Sequence, residues 1–528
     1  MVHKGERIEL LRKVVSGITL TLMLIGMLTL AFNIQPVKAS GGTIYIRADG
    51  SIDPPDAPIS TVDNVTYTFT TDIYDGVVVE KDSIVINGAG YTLQGTGAYY
   101  SKGIELSGRI NVTVTNTTIK NFDYGIWLDS SSNYNSVSGN NITNNGGGIR
   151  LSGSSNYNSV SGNNITNNWA GIDLVYSSNN SIAGNNITNN DIGIWLYSSS
   201  NYNSVSGNNI TNNGGGISLS SSSNNSIAGN NITANNWAGI DLDLSSNNSI
   251  AGNNITNNEN GIWLDSSSNY NSVSGNTITN NGGGISLGYS SNNSIAGNNI
   301  TANTFSGIGL GYSSNNSIAG NNITNNRYGI GLGYSSNYNS VSGNTITNNW
   351  YGIRLDSSSN NIFYLDNFVN NTQQVYSSDS INVWDDGYPS GGNYWSDYTG
   401  VDLYSGPYQN ETGSDGIGDT PYVIDERNQD NYPLMEPWTP KPPTPLEALE
   451  ELIQTVQSYN LDTGIENSLT SKLQAANRSL DRGNQNAAVG QLTAFINEAE
   501  ALRGKKLTND KTDYLLSEAQ RIIDLIKA

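Results

Sequence analysis

The chain has 528 residues, which allows several domains. Its formal net charge of −21 repels phosphate backbones, and this excludes nucleic-acid binding. It contains no Cys, its one His is His3, and of its four Met only Met435 lies beyond residue 27. Zinc, haem and blue-copper sites, Cys nucleophiles and Ser-His-Asp triads are therefore excluded from the rest of the chain, whereas calcium bound by oxygen ligands remains open.

Residues 1–39 have the pattern of a secretory signal peptide. Four basic residues, the last of them Lys13, precede an apolar run from Val14 to Phe32, and the small residue Ala39 stands at the expected cleavage point. The run is also long enough to remain as an N-terminal membrane anchor, the one membrane contact that the sequence predicts. In both cases we expect the body to be exported and to lie outside the cell or at its surface.

Residues 40–436 are predicted to form one solenoid domain. Its entrance cap, 41–102, contains short alternating strands around Ile44–Ile52 and Gly76–Leu93, which would cover the first rung. Between residues 103 and 360 a unit of 22 or 23 residues repeats, marked by Gly-Ile pairs from Ile104 to Ile353. Three short strands per unit, joined by Asn, Gly and Ser corners, predict a mainly β fold, a right-handed parallel β-helix of about 12 rungs.

The Asn residues at the corners are predicted to be structural, because Asn tolerates left-handed backbone and builds side-chain ladders along a stack. Several also begin an Asn-x-Ser/Thr triplet in which Asn and Thr point outward, so glycosylation and simple rung chemistry both remain open. The glycosylation candidates are Asn141, Asn164, Asn186, Asn209 and Asn254. A longer period of three rungs separates Asn-Tyr pairs that begin at Asn133, Asn201, Asn269 and Asn337.

One outward column is free to vary, the x of Gly-Ile-x-Leu. Trp127, Trp195 and Trp263 recur in it every third rung, roughly 14 Å apart, and are predicted to bind carbohydrate by stacking on sugar rings. The alternative is that the copied Trp residues shield the sheet.

Acidic residues flank these Trp residues. The spacing predicted for Asp241, Asp243 and Asp265, about 5–7 Å, suits a pair of glycosidase carboxylates, a surface calcium ion or a solvated acidic face equally. Arg150 beside Asp173 is the arrangement that a lyase would use. These five residues are the candidates for catalysis.

Residues 361–436 are predicted to form the exit cap, rich in aromatic residues and Gly turns. Its acids Asp397, Asp402, Asp415 and Asp419 are candidates for a calcium site, although no cofactor is required by the sequence. Residues 437–445 (PWTPKPPTP) form a stiff linker. In 446–528 the apolar spacing becomes helical and predicts about four helices in a small bundle, with ends at Gly483 and Gly504.

Three motifs together resemble NosD-like parallel β-helix proteins of the pectin-lyase-like superfamily. They are the opening Ile44–Ile52, the Asn-Ile-Thr-Asn-Asn…Gly-Ile rungs, and the exit Gly-Asn-Tyr-Trp-Ser-Asp-Tyr…Gly-Ile-Gly-Asp-Thr-Pro-Tyr. The resemblance covers about residues 41–436 and implies a fold shared by carbohydrate-binding proteins and sugar hydrolases. The family name also implies periplasmic copper-site maturation of nitrous oxide reductase, but this chain lacks the His, Cys and Met that soft copper handling uses.

The tail resembles a second family. Ile465–Leu473 and Ala494–Thr508 are similar to the FIMAH-type helical module of surface and secreted proteins, and that resemblance implies a role in attachment or protein contact.

Three functions follow. The first is a non-catalytic exported protein whose outward column binds a cell-surface or environmental polysaccharide or neighbouring surface proteins. The second is a polysaccharide lyase or glycoside hydrolase, and the third is a NosD-like accessory to metal-site assembly. A shared fold does not decide among them.

Overall fold

The structure, a computed structural model, describes residues 42–440, 443–459 and 461–527. The predicted signal peptide lies outside the described residues. The described chain divides into two compact units, one ending at Trp438 and the other beginning at Thr439.

The first unit is a right-handed parallel β-solenoid of about 14 turns, built from three long sheets, so the predicted β-helix is confirmed. The 16 strands of sheet 1 are Ile44–Ile46, Ile52–Asp53, Val77–Val79, Lys102–Glu105, Tyr124–Leu128, Gly147–Leu151, Ala170–Val175, Ile192–Tyr197, Gly215–Ser220, Ala238–Asp243, Asn260–Asp265, Gly283–Gly288, Ser306–Gly311, Tyr328–Gly333, Tyr351–Asp356 and Gln373–Ser378.

The 15 strands of sheet 2 are Ile59–Ser60, Thr66–Phe69, Val85–Asn87, Thr113–Thr115, Ser136–Ser138, Ser159–Ser161, Ser181–Ala183, Ser204–Ser206, Ser226–Ala228, Ser249–Ala251, Ser272–Ser274, Ser294–Ala296, Ser317–Ala319, Ser340–Ser342 and Ile362–Tyr364. The 14 strands of sheet 3 are Thr92–Gln94, Thr118–Lys120, Asn141–Thr143, Asn164–Thr166, Asn186–Thr188, Asn209–Thr211, Asn231–Thr233, Asn254–Thr256, Thr277–Thr279, Asn299–Thr301, Asn322–Thr324, Thr345–Thr347, Asn367–Val369 and Tyr394–Trp395. Two antiparallel pairs lie in the exit region, Tyr404–Ser405 with Glu411–Thr412 and Tyr422–Asp425 with Asn428–Asp430.

The predicted 12 rungs are too few, because the regions interpreted as caps contribute rungs of their own. Val77–Val79 pairs in parallel with Lys102–Glu105 at the start, and Gln373–Ser378 pairs with Tyr351–Asp356 at the end. The exit then closes the core with stacked aromatic rings rather than with further rungs. Phe368 stacks on Trp395 with ring centroids 4.3 Å apart.

The core consists of the three predicted apolar columns. Each three-residue strand of sheets 2 and 3 within the array buries only its middle residue, such as Val137 or Ile142, since successive side chains point to opposite faces. In sheet 1 the Ile and the Leu of Gly-Ile-x-Leu are both buried, as at Ile149 and Leu151. One rung alone would expose these residues, so stacking is what forms the core.

Corners join the strands through a repeated pair, a residue with positive φ followed by a buried Asn. Gly139, with φ of 67°, precedes Asn140, and Asn144, with φ of 56°, precedes Asn145. Only glycine adopts this backbone without strain, and Asn tolerates it better than most residues. The corner composition is therefore explained by backbone geometry.

The buried Asn side chains form ladders that connect successive rungs. In a representative case, Asn230 Nδ2 donates to Oδ1 of Asn253 at 3.0 Å and to the main-chain oxygen of Val205 at 2.9 Å. Oδ1 of Asn230 in turn accepts from the main-chain and side-chain nitrogens of Asn208, each at 3.0 Å. This column begins at Asn140, and similar columns begin at Asn135 and Asn145. The predicted structural role of the corner Asn residues is confirmed by these contacts.

The second unit contains four helices, as predicted. They are α1 (Pro445–Ser458), α2 (Thr463–Asp481), α3 (Gln485–Leu502) and α4 (Asn509–Lys527). A capping box of Thr444 and Glu447 starts α1. Gly483 and Gly504, both with positive φ, follow the ends of α2 and α3, where glycine accepts the left-handed conformation. Among the described residues no helix is long and apolar enough to span a membrane.

We expect the buried ladder to dominate the stability of the solenoid. Asn230→Ala should lower the free energy of unfolding by about 3 kcal/mol, because it leaves buried polar groups without partners. The neighbouring Asn231, whose side chain is exposed, supplies the matched control, and Asn231→Ala should cost less than about 1 kcal/mol. Denaturant unfolding of the two variants measures the difference. Equal losses would show that the inner ladder is not the stabilising element.

Candidate functional site

The outward column predicted from the sequence lies on the outer face of sheet 1. Within it the structure reveals a regular pairing of one acid with one Trp on the next strand. Glu105 pairs with Trp127, Asp173 with Trp195, and Asp241 with Trp263. Successive pairs are three rungs apart, so they are copies of one arrangement. The next copy has lost both residues and pairs Gly309 with Gly331.

In the first pair a lysine neutralises the acid. Lys102 Nζ lies 2.7 Å from Glu105 Oε1 and 4.0 Å from the centre of the Trp127 ring. Trp127 donates from Nε1 to the hydroxyl of Ser152 and is half-buried. The ring of Trp127 is therefore already in contact with a cation of the same chain, Lys102. Carbohydrate binding by Trp127 remains a prediction.

In the second pair Arg150 neutralises the acid. Its Nη1 lies 2.7 Å from Asp173 Oδ2, and only 2% of the surface of Asp173 is exposed. Asp173 is therefore a buried acid beside a cation rather than a solvated one. Burial raises the pKa of the Asp173 carboxyl, and the charge of Arg150 acts in the opposite direction.

Aromatic rings cover this second pair. Trp195 stacks on Tyr197 with centroids 4.1 Å apart and meets Trp169 edge-on at 5.7 Å. The Arg150 guanidinium lies 5.2 Å from the centre of the Tyr124 ring. We name this closed arrangement of Arg150, Asp173, Trp169 and Trp195 the Arg150 site. Trp195 is consequently half-buried rather than freely exposed.

The third pair is open. Ser218 takes the place of Arg150, three rungs on, and pairs in register with Asp241. A cavity of about 400 Å³ lies here, lined by Asp241, Trp263 and Trp237 together with Ser218, Glu259 and Asn260. Trp237 is 58% exposed and Trp263 is 40% exposed. We name this the Asp241 pocket.

Asp241 is electrostatically uncompensated. Burial raises the pKa of its carboxyl to about 6, and the negative charges of Asp243 and Asp265 act in the same direction. Asp243 and Asp265 are register partners on adjacent strands, as the sequence predicted. Among the residues that the structure describes, the contact that opposes this rise in pKa is a long hydrogen bond of 3.5 Å from the hydroxyl of Ser218.

Sequence reasoning missed the second Trp of the pocket. Trp237 lies in the turn before its strand, just ahead of Ala238 and the Gly-Ile pair, and Trp169 and Phe305 hold the same place three rungs to either side. The x position of Gly-Ile-x-Leu does not include this residue, because Trp237 precedes the strand. The three-rung period was the signal that would have found it.

A second aromatic cavity, of about 550 Å³, lies further along the same face. Its lining combines two cations with aromatic rings: Arg327, Tyr328, Trp350, Tyr351, Arg354 and Tyr376. The Arg354 guanidinium lies 4.9 Å from the centre of the Tyr328 ring. Arg354 also lies 3.7 Å from Asp356, which offsets part of its charge.

The four acids predicted to hold calcium make hydrogen bonds within the exit region, and calcium binding by them remains a prediction. Asp402 accepts from the main-chain nitrogens of Asp415 and Gly416, and Asp419 accepts from that of Leu403. Asp397 contacts the hydroxyl of Tyr422. Within the described residues no group of three or more His, Cys, Asp or Glu side chains is arranged to hold a metal. Asp402 and Asp419 thus hold loop nitrogens of the exit region.

The glycosylation candidates lie at exposed positions of sheet 3, as the direction of the strand requires. They form an outer ladder in which Asn164 Nδ2 donates to Asn141 Oδ1 and Asn186 Nδ2 donates to Asn164 Oδ1, both at 2.8 Å. Asn209 continues this ladder, and Asn254 is exposed on a later strand. Their modification remains a prediction.

Comparison with protein families decides the relationship of the solenoid. The family model described as periplasmic copper-binding protein (NosD) matches residues 61–238 and 231–400. The chain belongs to the NosD family. The FIMAH domain model matches residues 446–524, which covers the four helices except the first and the last few residues.

Several solved structures are similar to this NosD-family chain. The A-module of the Azotobacter vinelandii mannuronan C-5 epimerase AlgE6 is 15% identical over 59% of this chain and 91% of its own, with a TM-score of 0.42. The Dettilon tailspike protein gp208 is 17% identical over 57% and 62%, with a TM-score of 0.41. The periplasmic alginate epimerase AlgG is 16% identical over 66% and 84%, with a TM-score of 0.35. No curated protein matches the chain.

The family description names copper, and the donor set of this chain does not fit it. Copper proteins use His, Cys and Met ligands. The described residues contain Met435 alone of these three types, and no cluster of acids takes their place. The NosD fold is thus present here without the ligands that a copper site requires.

The uncompensated carboxyl of Asp241 predicts a pH-dependent stability. Because its folded-state pKa of about 6 lies above the ordinary value near 3.9, ionisation opposes folding, and the wild type loses stability as pH rises between these values. Asp241→Asn removes that cost. The variant should be more stable than the wild type by on the order of 2 kcal/mol at about pH 7.5, and nearly equal at about pH 4. Denaturant unfolding at both pH values measures this, and a pH-independent difference would contradict it.

Proposed function

We propose that this NosD-family protein is a non-catalytic, exported, extracellular or surface protein that binds saccharides through the outer face of sheet 1. The Asp241 pocket is the principal site, and the helical FIMAH domain serves attachment. Binding requires no cofactor. Calcium is an optional addition that the experiment below includes as a separate arm.

The observation that carries this proposal is the pair of exposed indole rings at the Asp241 pocket. Trp237 and Trp263 both line it, and Trp263 stands beside the carboxylate of Asp241 on the next strand. Indole faces pack against the C–H faces of sugar rings, while a carboxylate accepts hydrogen bonds from hydroxyl groups. Apolar walls with a few polar groups are typical of ligand sites.

A rigid solenoid suits this task. Each strand of sheet 1 is held on both sides by its neighbours and by the corner ladders, so the outward side chains keep fixed positions without a ligand. A site formed in advance loses little conformational entropy on binding. The long face also offers subsites on either side of the pocket, spaced by the rung repeat of roughly 4.8 Å.

One observation favours the enzyme alternative, a polysaccharide lyase or glycoside hydrolase. The raised pKa of Asp241, about 6, is what a general acid needs, and Asp243 and Asp265 are further carboxylates nearby. Against it, Arg150 is bound to Asp173 and is not available as a lyase cation. The third alternative, accessory metal-site assembly, has no donor set in the described residues.

A glycan array with the exported chain should identify bound saccharides, with and without calcium. For the best ligand, Trp237→Ala and Trp263→Ala should each weaken binding at least about tenfold, which corresponds to ~1.4 kcal/mol, because each removes a stacking surface. Trp169→Ala is the matched control. Trp169 holds the same place in the closed Arg150 site, is 50% exposed, and should leave the affinity unchanged.

Two outcomes would contradict this proposal. Equal effects of Trp169→Ala and Trp237→Ala would show that the Asp241 pocket is not the site. Release of unsaturated or reducing products from a polysaccharide, lost in Asp241→Asn or Arg150→Ala, would establish the enzyme instead.

A further inference from the structure

The Arg150 site and the Asp241 pocket are two versions of one arrangement within the same chain. Trp169 corresponds to Trp237, Asp173 to Asp241 and Trp195 to Trp263, each three rungs further along. The acid and the second Trp are register partners in both versions. The group that is bound in the Arg150 site therefore indicates which kind of group the Asp241 pocket accepts.

A cation occupies the first version. The Arg150 guanidinium contacts the carboxylate of Asp173 at 2.7 Å and lies within reach of the Tyr124 and Trp127 rings, at 5.2 and 6.0 Å from their centres. Carboxylate and aromatic faces both attract a cation, and the attraction grows when water is excluded. The carboxylate of Asp173 and the rings of Tyr124 and Trp127 thus hold a positively charged group supplied by the chain itself.

The second version differs at three places around this cation. At the positions that Arg150, Val175 and Tyr197 hold in the first version, the second version has Ser218, Asp243 and Asp265, respectively. The first change removes the internal positive charge, and the other two each add a negative charge. In addition, Ile192 stands for Tyr124, which removes an aromatic cover. These differences open the pocket and make its charge strongly negative.

We infer that the Asp241 pocket binds an amino sugar, with the ammonium group against the Asp241 carboxylate and the sugar ring against Trp237 and Trp263. This inference rests on the proposed saccharide binding and names the class of saccharide. The ligand ammonium takes the place that the Arg150 guanidinium occupies in the first version. Asp243 and Asp265 reinforce the negative potential around it.

The shape of the pocket favours a sugar over a basic protein side chain. The Arg150 site shows what a side chain needs, namely close cover by Tyr124 and Tyr197. The Asp241 pocket replaces both, and its volume of about 400 Å³ is bounded by two broad, exposed indole rings. A pyranose ring presents a flat C–H face of matching width, whereas a Lys or Arg stem would leave much of this surface uncovered.

The test uses two ligands that share the same sugar ring and linkage and differ at the nitrogen, an oligomer of glucosamine, which carries ammonium groups, and the N-acetylated oligomer of equal length, which is neutral. Titration calorimetry with the full chain at 0.15 M salt should give at least tenfold tighter binding of the free amine. Asp241→Asn should remove this preference. Ser218→Arg should abolish binding of the amine, because it restores the internal cation of the first version.

Two control variants distinguish binding at the Asp241 pocket from general electrostatic attraction, because a chain with a net charge of −21 attracts any polycation. Gly309→Arg adds the same charge to the same face, where its first side-chain carbon meets only Ser306, at 3.6 Å. Asp356→Asn removes one exposed carboxylate from that face. Both should retain the tenfold preference.

Each failure has its own meaning. Equal binding of the two oligomers, weakened by Trp237→Ala, would overturn the amino-sugar inference and leave saccharide binding intact. Loss of binding in Gly309→Arg as well as in Ser218→Arg would overturn it in favour of unspecific charge attraction. Tighter binding of an arginine-rich peptide than of the amine oligomer, dependent on Asp241, would assign the pocket to a protein partner. Binding insensitive to Trp237 and Trp263 would overturn the proposed function as well.

Discussion

Buried asparagine side chains hold each rung of this solenoid to the next, and the remaining structure depends on them. Each side chain in the three inner ladders bonds to the main chain or to the side chain of an adjacent rung, as Asn230 does to Asn208 and Asn253. Since a missing partner would leave several buried polar groups unsatisfied, the corners have little freedom to change. This constraint fixes the register of all three sheets.

A fixed register leaves variation to the outside. In sheet 1 the Ile and Leu face the core, so the outward positions between and beside them and the turn before the strand can change without cost to the stack. Copying three rungs at a time carried an acid and a Trp together along this face, and the copies then diverged. Glu105 and Asp173 are neutralised by Lys102 and Arg150, whereas Asp241 is left with two further acids beside it. Divergence of a copied pair thus explains how one site along a repetitive rod became distinct.

The sequence was sufficient to predict the fold because its information is periodic. The Ile columns and the Asn corners follow from local rules that every copy repeats, and Gly483 and Gly504 mark helix ends by a local rule of their own. The burial of Asp173 was not predictable in the same way, because it depends on whether the long side chain of Arg150 reaches across to it. The surroundings of Asp241 likewise depend on Ser218, one rung earlier, and on the ring of Trp237, which lies in a turn. Side-chain reach between rungs is the information that periodicity does not contain.

A crystal structure of the chain with a bound glucosamine oligomer tests the central claim most directly. Our account predicts one sugar ring between Trp237 and Trp263, with its amine nitrogen about 2.8 Å from a carboxylate oxygen of Asp241, as charge-assisted hydrogen bonds require. It also predicts no sugar at the closed Arg150 site. An oligomer bound instead at the cavity of Arg327 and Arg354, or bound with its amine directed away from Asp241, would contradict the account.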